Sequence, residues 1–143
     1  MKLLLGIVLA ALPLAGGPPA VVARAGGDEV ARVVLPPSRT FALEYRHSYY
    51  RQPARETFRV APDGSFALVA VSSPSEAVLD YYEIEGRRER VGGVWTLHPA
   101  RPARFEDMAL AATRVGRRTL VAGPRRVPLY GGAVHLRLSV EGG

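Results

Sequence analysis

The chain has 143 residues, 19 basic and 13 acidic side chains, a net charge of +6 and no cysteine. The length fits one domain with a modest core. The absence of cysteine excludes a disulfide framework and thiolate chemistry. The basic excess is small and scattered through strand and turn segments, and every basic residue after Lys2 is an arginine. That spread argues against a nucleic-acid-binding face, which gathers its charge on one surface.

Residues 1–25 read as a targeting segment. Lys2 supplies a positive start, residues 3–12 form an apolar run broken only by Gly6, and Pro13, Gly16, Gly17, Pro18 and Pro19 stop a helix. Ala23-Arg24-Ala25 places small residues where a signal peptidase reads them, so the expected cleavage lies before Gly26. The alternative is a retained anchor, with residues 3–22 associated with the membrane. Either way the expected domain spans residues 26–143 and lies on the exported side, periplasmic or extracellular. Taking away Lys2 and Arg24 leaves 17 basic against 13 acidic side chains, a net charge of +4.

Residues 30–35 form a first strand, stopped by Pro36-Pro37. From Thr40 the chain alternates with period two, placing Phe41, Leu43, Tyr45 and His47 on one face and Ala42, Glu44, Arg46 and Ser48 on the other. Pro53 marks a turn or an edge near residues 51–54, because it has no N–H for a ladder. Extended structure resumes at residues 56–60, turns at Pro62-Asp63-Gly64, and continues as a strand over residues 65–71. Residues 78–84, "VLDYYEI", satisfy neither the helical nor the strand period. "EGRRERVGG", residues 85–93, reads as a charged loop, and residues 94–98 as a strand centred on Trp95, a core anchor. "RPARFEDMALA" begins as a solvated connector, with a strand expected over residues 108–115 and a turn at Gly116-Arg117-Arg118. A hairpin around Gly123-Pro124 and an alternating strand from Val134 to Val140 complete the chain. About eight short strands with frequent turns imply an all-β fold, a single antiparallel β-sandwich or partly open barrel.

Chemistry concentrates in "YRHSYYRQPARETF", residues 45–58. His47 beside Ser48 resembles a base and a nucleophile, but strand neighbours point to opposite faces and miss hydrogen-bond reach. No GxSxG elbow is present, and no catalytic residue is assigned. His47, His98 and His135 lie on three separate strands without HxH or HExxH spacing, so neither a metal nor any other cofactor is assigned. The remaining reading is a binding rim of Arg46, His47, Ser48, Tyr49, Arg51 and Glu56 on a hairpin, since tyrosine and arginine together favour recognition. Pairing across that hairpin is expected to bring Glu56 near Arg46, Ser48 or Tyr50. An edge hairpin whose charges only keep it soluble is the structural alternative.

The order "FALEYRHSYYRQPARETFRV", "PDGSFALVAV", "GGVWTLHP", "ARFEDMALA", "RTLVAG" and "VPLYGGAVHLRL" resembles the DUF1850 family, small exported proteins of unknown function. The resemblance runs from Phe41 to Val140, and its most specific part is His47-Ser48 followed by Glu56. "SSPSEAVLDYYEI", residues 72–84, departs from the glycine-rich stretch that family shows after its third strand. The resemblance implies an accessory role beside TAXI-type TRAP solute transporters, with a transporter subunit or the solute-binding protein as partner. The competing expectations are a small extracytoplasmic enzyme or metal-binding domain using His47 and Glu56, and an envelope structural protein.

Overall fold

Alternating apolar residues and glycine- or proline-bearing turns drive the described residues into twelve short strands and one helical turn and a half. The computed structural model describes residues 16–143. In chain order the elements are β1 (Ala20–Ala25), β2 (Asp28–Val34), β3 (Thr40–Arg46), β4 (Pro53–Val60), β5 (Phe66–Ser73), α1 (Glu76–Tyr81), β6 (Gly86–Val91), β7 (Val94–Pro99), β8 (Arg104–Phe105), β9 (Asp107–Ala111), β10 (Thr119–Ala122), β11 (Arg125–Pro128) and β12 (His135–Glu141). They build two antiparallel sheets, ordered β2-β1-β12-β9 and β11-β10-β3-β4-β5-β7-β6, with β8 paired to β5. The sheets pack face to face as an open sandwich and not a closed barrel.

One core joins the inner faces, with Val21, Val33, Leu110 and Leu138 from the small sheet meeting Phe41, Leu43, Phe58 and Leu97 from the large one. Phe41 stacks on Phe58 at 4.9 Å between centroids, and Phe66 meets both edge-on at 5.4 and 5.7 Å. Each ring is at most 2% exposed and contributes about 2–3 kcal/mol by burial. Trp95 packs partly buried against this core, with the Arg90 guanidinium 5.6 Å from its ring centre.

Turn chemistry sets the register. Asp63 Oδ1 accepts from Ser65 N at 3.0 Å and Ser65 Oγ at 2.6 Å, closing the β4–β5 turn. Gly92 and Gly93, at φ 57° and 79°, make the two-residue β6–β7 turn that needs two left-handed residues. Pro53 begins β4 opposite Arg46, where the ladder ends and its missing N–H costs nothing.

The structure and the sequence reading differ in the placement of several elements. Residues 20–25, at the end of the expected targeting segment, form β1, which lies between β2 and β12 with Ala20 to Ala23 each at most 1% exposed. Residues 1–15, which hold most of the expected leader or anchor, lie outside the described residues. No helix among the described residues is long and apolar enough to cross a membrane. Residues 86–91 are an edge strand, not a loop; all six are exposed, β7 is their strand partner, and Arg88 adds ion pairs to Glu76 and Asp80 of α1. The connector before Met108 is β8, which pairs with β5, and Asp107 already belongs to β9, so the chain changes sheets at Glu106. The ambiguous residues 78–84 hold the end of α1, which buries Val78 and Leu79.

Candidate functional site

The inner face of the large sheet carries Tyr45 on β3 and Glu56 on β4 toward one open end of the sandwich. Glu56 stands opposite Leu43, three rungs from the hairpin end. It lines a cavity with Arg46 and Ser48 but makes no hydrogen bond to Arg46, Ser48 or Tyr50. Its carboxylate accepts instead from Tyr82 Oη at 2.7 Å and faces Arg118 Nη1 at 3.5 Å. Arg118 also donates from Nε to Ala111 O at 3.1 Å and lies 4.7 Å from the centre of the Tyr45 ring.

The two phenols of Tyr45 and Tyr82 are hydrogen-bonded to each other. Tyr82 has one hydroxyl proton and donates it to Glu56, so Tyr45 is the donor between the phenols. The relay runs from Tyr45 to Tyr82 to the carboxylate, each bond polarising the next. Burial pushes the Tyr82 phenol up, and the neighbouring Glu56 charge pushes it further. Burial also raises Tyr45, opposed by its bond to Tyr82. Both hydroxyls thus stay protonated well into the alkaline range.

α1 delivers the second half of the site. Tyr82 N–H bonds Leu79 O at 3.2 Å and Glu83, at φ 52°, ends the helix in a left-handed turn. Tyr82 therefore turns inward while Tyr81 stays on the rim, its ring edge-on to His47 at 4.6 Å. The Tyr81-Tyr82 pair was the available signal for this, but a segment without a clear period hid its direction. Arg118 had no signal beyond its place after a turn.

His47 leaves the strand and opens a tight loop, with His47 N donating to Gln52 O and Arg51 N to His47 O, both at 2.8 Å. The ring is buried at 4% exposure, and its Nδ1 accepts from Tyr50 N at 3.3 Å. A neutral His47 therefore carries its ring proton on Nε2. Ser48 is exposed and makes no hydrogen bond with His47, so no Ser–His pair forms. Tyr49 is 77% exposed and packs edge-on to Tyr50 at 4.9 Å. Among the described residues no three His, Cys, Asp or Glu side chains gather to hold a metal ion; His98 pairs with Glu89 at 3.0 Å and His135 is exposed on β12.

Five of the six expected site residues line two neighbouring cavities, which share Tyr45 and Arg46. A cavity of about 460 Å³ at the inner end is lined by Arg46, His47, Ser48 and Glu56, together with Tyr82 and Arg118. A larger groove, about 800 Å³, lies on the outer face and takes Arg46 and Arg51. Tyr49 lines neither and stands free in solvent. The inner cavity presents a carboxylate, two phenols and a guanidinium already bonded to one another, which suits holding a polar group or bracing the rim above it.

These features define a two-sheet antiparallel β domain with a polar relay at one open end. Comparison of the chain with family models, with curated proteins and with solved structures finds no match in any of the three.

Proposed function

We propose that the protein is an exported, non-enzymatic binding module that docks onto a TAXI-type TRAP transporter, through a transporter subunit or the transporter's solute-binding protein. The observation that carries the binding reading is the aromatic rim. Tyr49, Tyr50 and Tyr81 are 77%, 37% and 64% exposed; Tyr50 and Tyr81 pack on a buried His47, and Tyr49 packs on Tyr50. Tyrosines fixed on a braced loop give large contact area at low ordering cost, the chemistry of protein recognition. The relay of Tyr45, Tyr82, Glu56 and Arg118 beneath the rim ties β3, β4, α1 and the residues before β10 together. The choice of partner rests on the family resemblance of residues 41–140.

Co-producing the full chain with the subunits of such a transporter tests this. The wild type is expected to co-purify with one subunit, and Tyr49→Ser with Tyr81→Ser to lose it while keeping the same Tm. A wild-type chain that enriches neither subunit over an unrelated exported protein would overturn the proposal.

A further inference from the structure

We propose that the outer-face groove is a binding site for a small organic anion, whose carboxylate or phosphate group is held by Arg46, Arg51 and Arg117. The groove adjoins the relay cavity, with Tyr45 and Arg46 lining both, but Arg51 and Arg117 belong to the groove alone, and its occupancy does not depend on docking by the tyrosine rim.

Five arginines from separate elements line it: Arg46 ends β3, Arg51 sits in the β3–β4 loop, Arg55 lies on β4, Arg117 precedes β10, and Arg126 lies on β11. Glu44 is the single carboxylate among the lining residues. It accepts from Arg55 at 2.5 Å and from Arg126 at 2.5 and 3.2 Å, so its charge is spent on two of the five. The Arg126 hydrogen bond, followed by its charge, holds Glu44 below the usual carboxylate range, so it remains ionised in this role. Arg46, Arg51 and Arg117 form no ion pair with a carboxylate among the described residues. Arg46 donates Nε to Arg51 O at 3.2 Å, which steers its guanidinium toward the loop and leaves its other donors unused by that bond. Three arginines that line one groove without a paired carboxylate leave donors for a bound oxyanion, which offsets their like charges while accepting their fork-like donors.

The backbone gives a second, independent observation. Arg51 and Arg117 have φ values of 54° and 48°, in the left-handed region where glycine or asparagine sits at less cost. Of the four non-glycine residues with positive φ among the described residues, Arg51 and Arg117 line this groove, whereas Arg39 and Glu83 lie elsewhere. Arg46 N–H bonds Gly116 O at 2.7 Å, holding the two turns side by side. Backbone strain of this kind persists where the surrounding structure holds it in place, and it gathers at ligand sites.

The groove is not charged throughout. Pro53, Ala54, Pro74 and Val94 supply an apolar stretch, with Tyr130 beside it. A bare inorganic ion would leave that stretch unused. A volume of about 800 Å³ matches the size of pockets that take small organic ligands. The chemistry points to a compact carbon skeleton bearing one or more acidic groups.

Calorimetric titration of the full chain at low salt tests the site with glutarate as the carboxylate probe, glycerol 3-phosphate as the phosphate probe and sulfate as the inorganic control. At least one organic probe is expected to bind saturably and tighter than sulfate; the one that binds identifies the acidic group, and binding of both identifies a shared oxyanion site. The decisive variant is Arg51→Gly with Arg117→Gly. Glycine takes both left-handed positions without strain, so Tm is expected to hold or rise while affinity falls roughly tenfold or more. Glu44→Gln, which removes the competing carboxylate, is expected to tighten binding. Absence of saturable organic binding, sulfate binding as tightly, or unchanged affinity in the double glycine variant would each overturn the proposal.

Discussion

Glu56 shows how one side chain acquires its role from its neighbours. Its side chain is only 15% exposed, yet Tyr82 and Arg118 supply a hydrogen bond and a positive charge. A buried carboxylate without such partners is costly, and removing one partner leaves the others unsatisfied. Tyr82→Phe deletes the middle of the relay and is expected to destabilise the domain by about 1–3 kcal/mol, read from urea unfolding. The same variant has a pH signature. Tyr45 and Tyr82 are both raised above the ordinary tyrosine value of 10.0 in the folded protein. Below pH 10 neither state gives up these protons, and their contribution is fully present. Above pH 10 the unfolded chain releases protons that the folded chain keeps, so stability falls as pH rises. One such tyrosine accounts for up to about 1.4 kcal/mol per pH unit. Unfolding measured between pH 9 and 11 is therefore expected to weaken less steeply in Tyr82→Phe than in the wild type.

Among the elements, β1 carries the largest consequence. "AVVARA" is apolar because the strand is central and buried on both sides of its first residues. The same composition also suits the end of a targeting segment, and Ala23-Arg24-Ala25 looks like a peptidase site. Local composition alone does not separate these readings; pairing to β2 and β12 does. A chain beginning at Gly16 keeps every described strand, whereas one beginning at Gly26 exposes the β12 edge and loses Val21 and Ala23 from the core. The first is expected to give dispersed amide NMR spectra and cooperative melting, and the second to give neither. β6 was missed for the opposite reason. Its six residues are all exposed and only Val91 is apolar, so no period-two burial marks it as a strand, and its pairing to β7 does.

Across the whole molecule, stability rests on one core shared by two sheets. Phe58 lies at its centre, 2% exposed and in contact with Phe41, Phe66 and Phe105. Phe58→Ala is expected to cost about 3–5 kcal/mol, because the surrounding strands cannot collapse into the space a ring leaves. Calorimetry of the variant checks this as a large fall in Tm without loss of strand content below the transition.

The all-β class and most strand positions were legible in the sequence, since period-two burial and turn-forming residues are local properties. The hairpin at Gly123-Pro124 and the turn at residues 62–64 needed only their own residues to be placed. So did the shared face of Phe41, Leu43 and Tyr45, which strand geometry imposes on residues two apart. The partners of Glu56 are different in kind: Tyr82 is 26 residues away and Arg118 62 residues away. No local pattern links them. The convergence of Arg51 and Arg117 on one groove likewise depends on how β3, β4 and β10 pair. Short-range sterics and polarity determined the strands, whereas only the stacking of two sheets decided which charges and phenols meet.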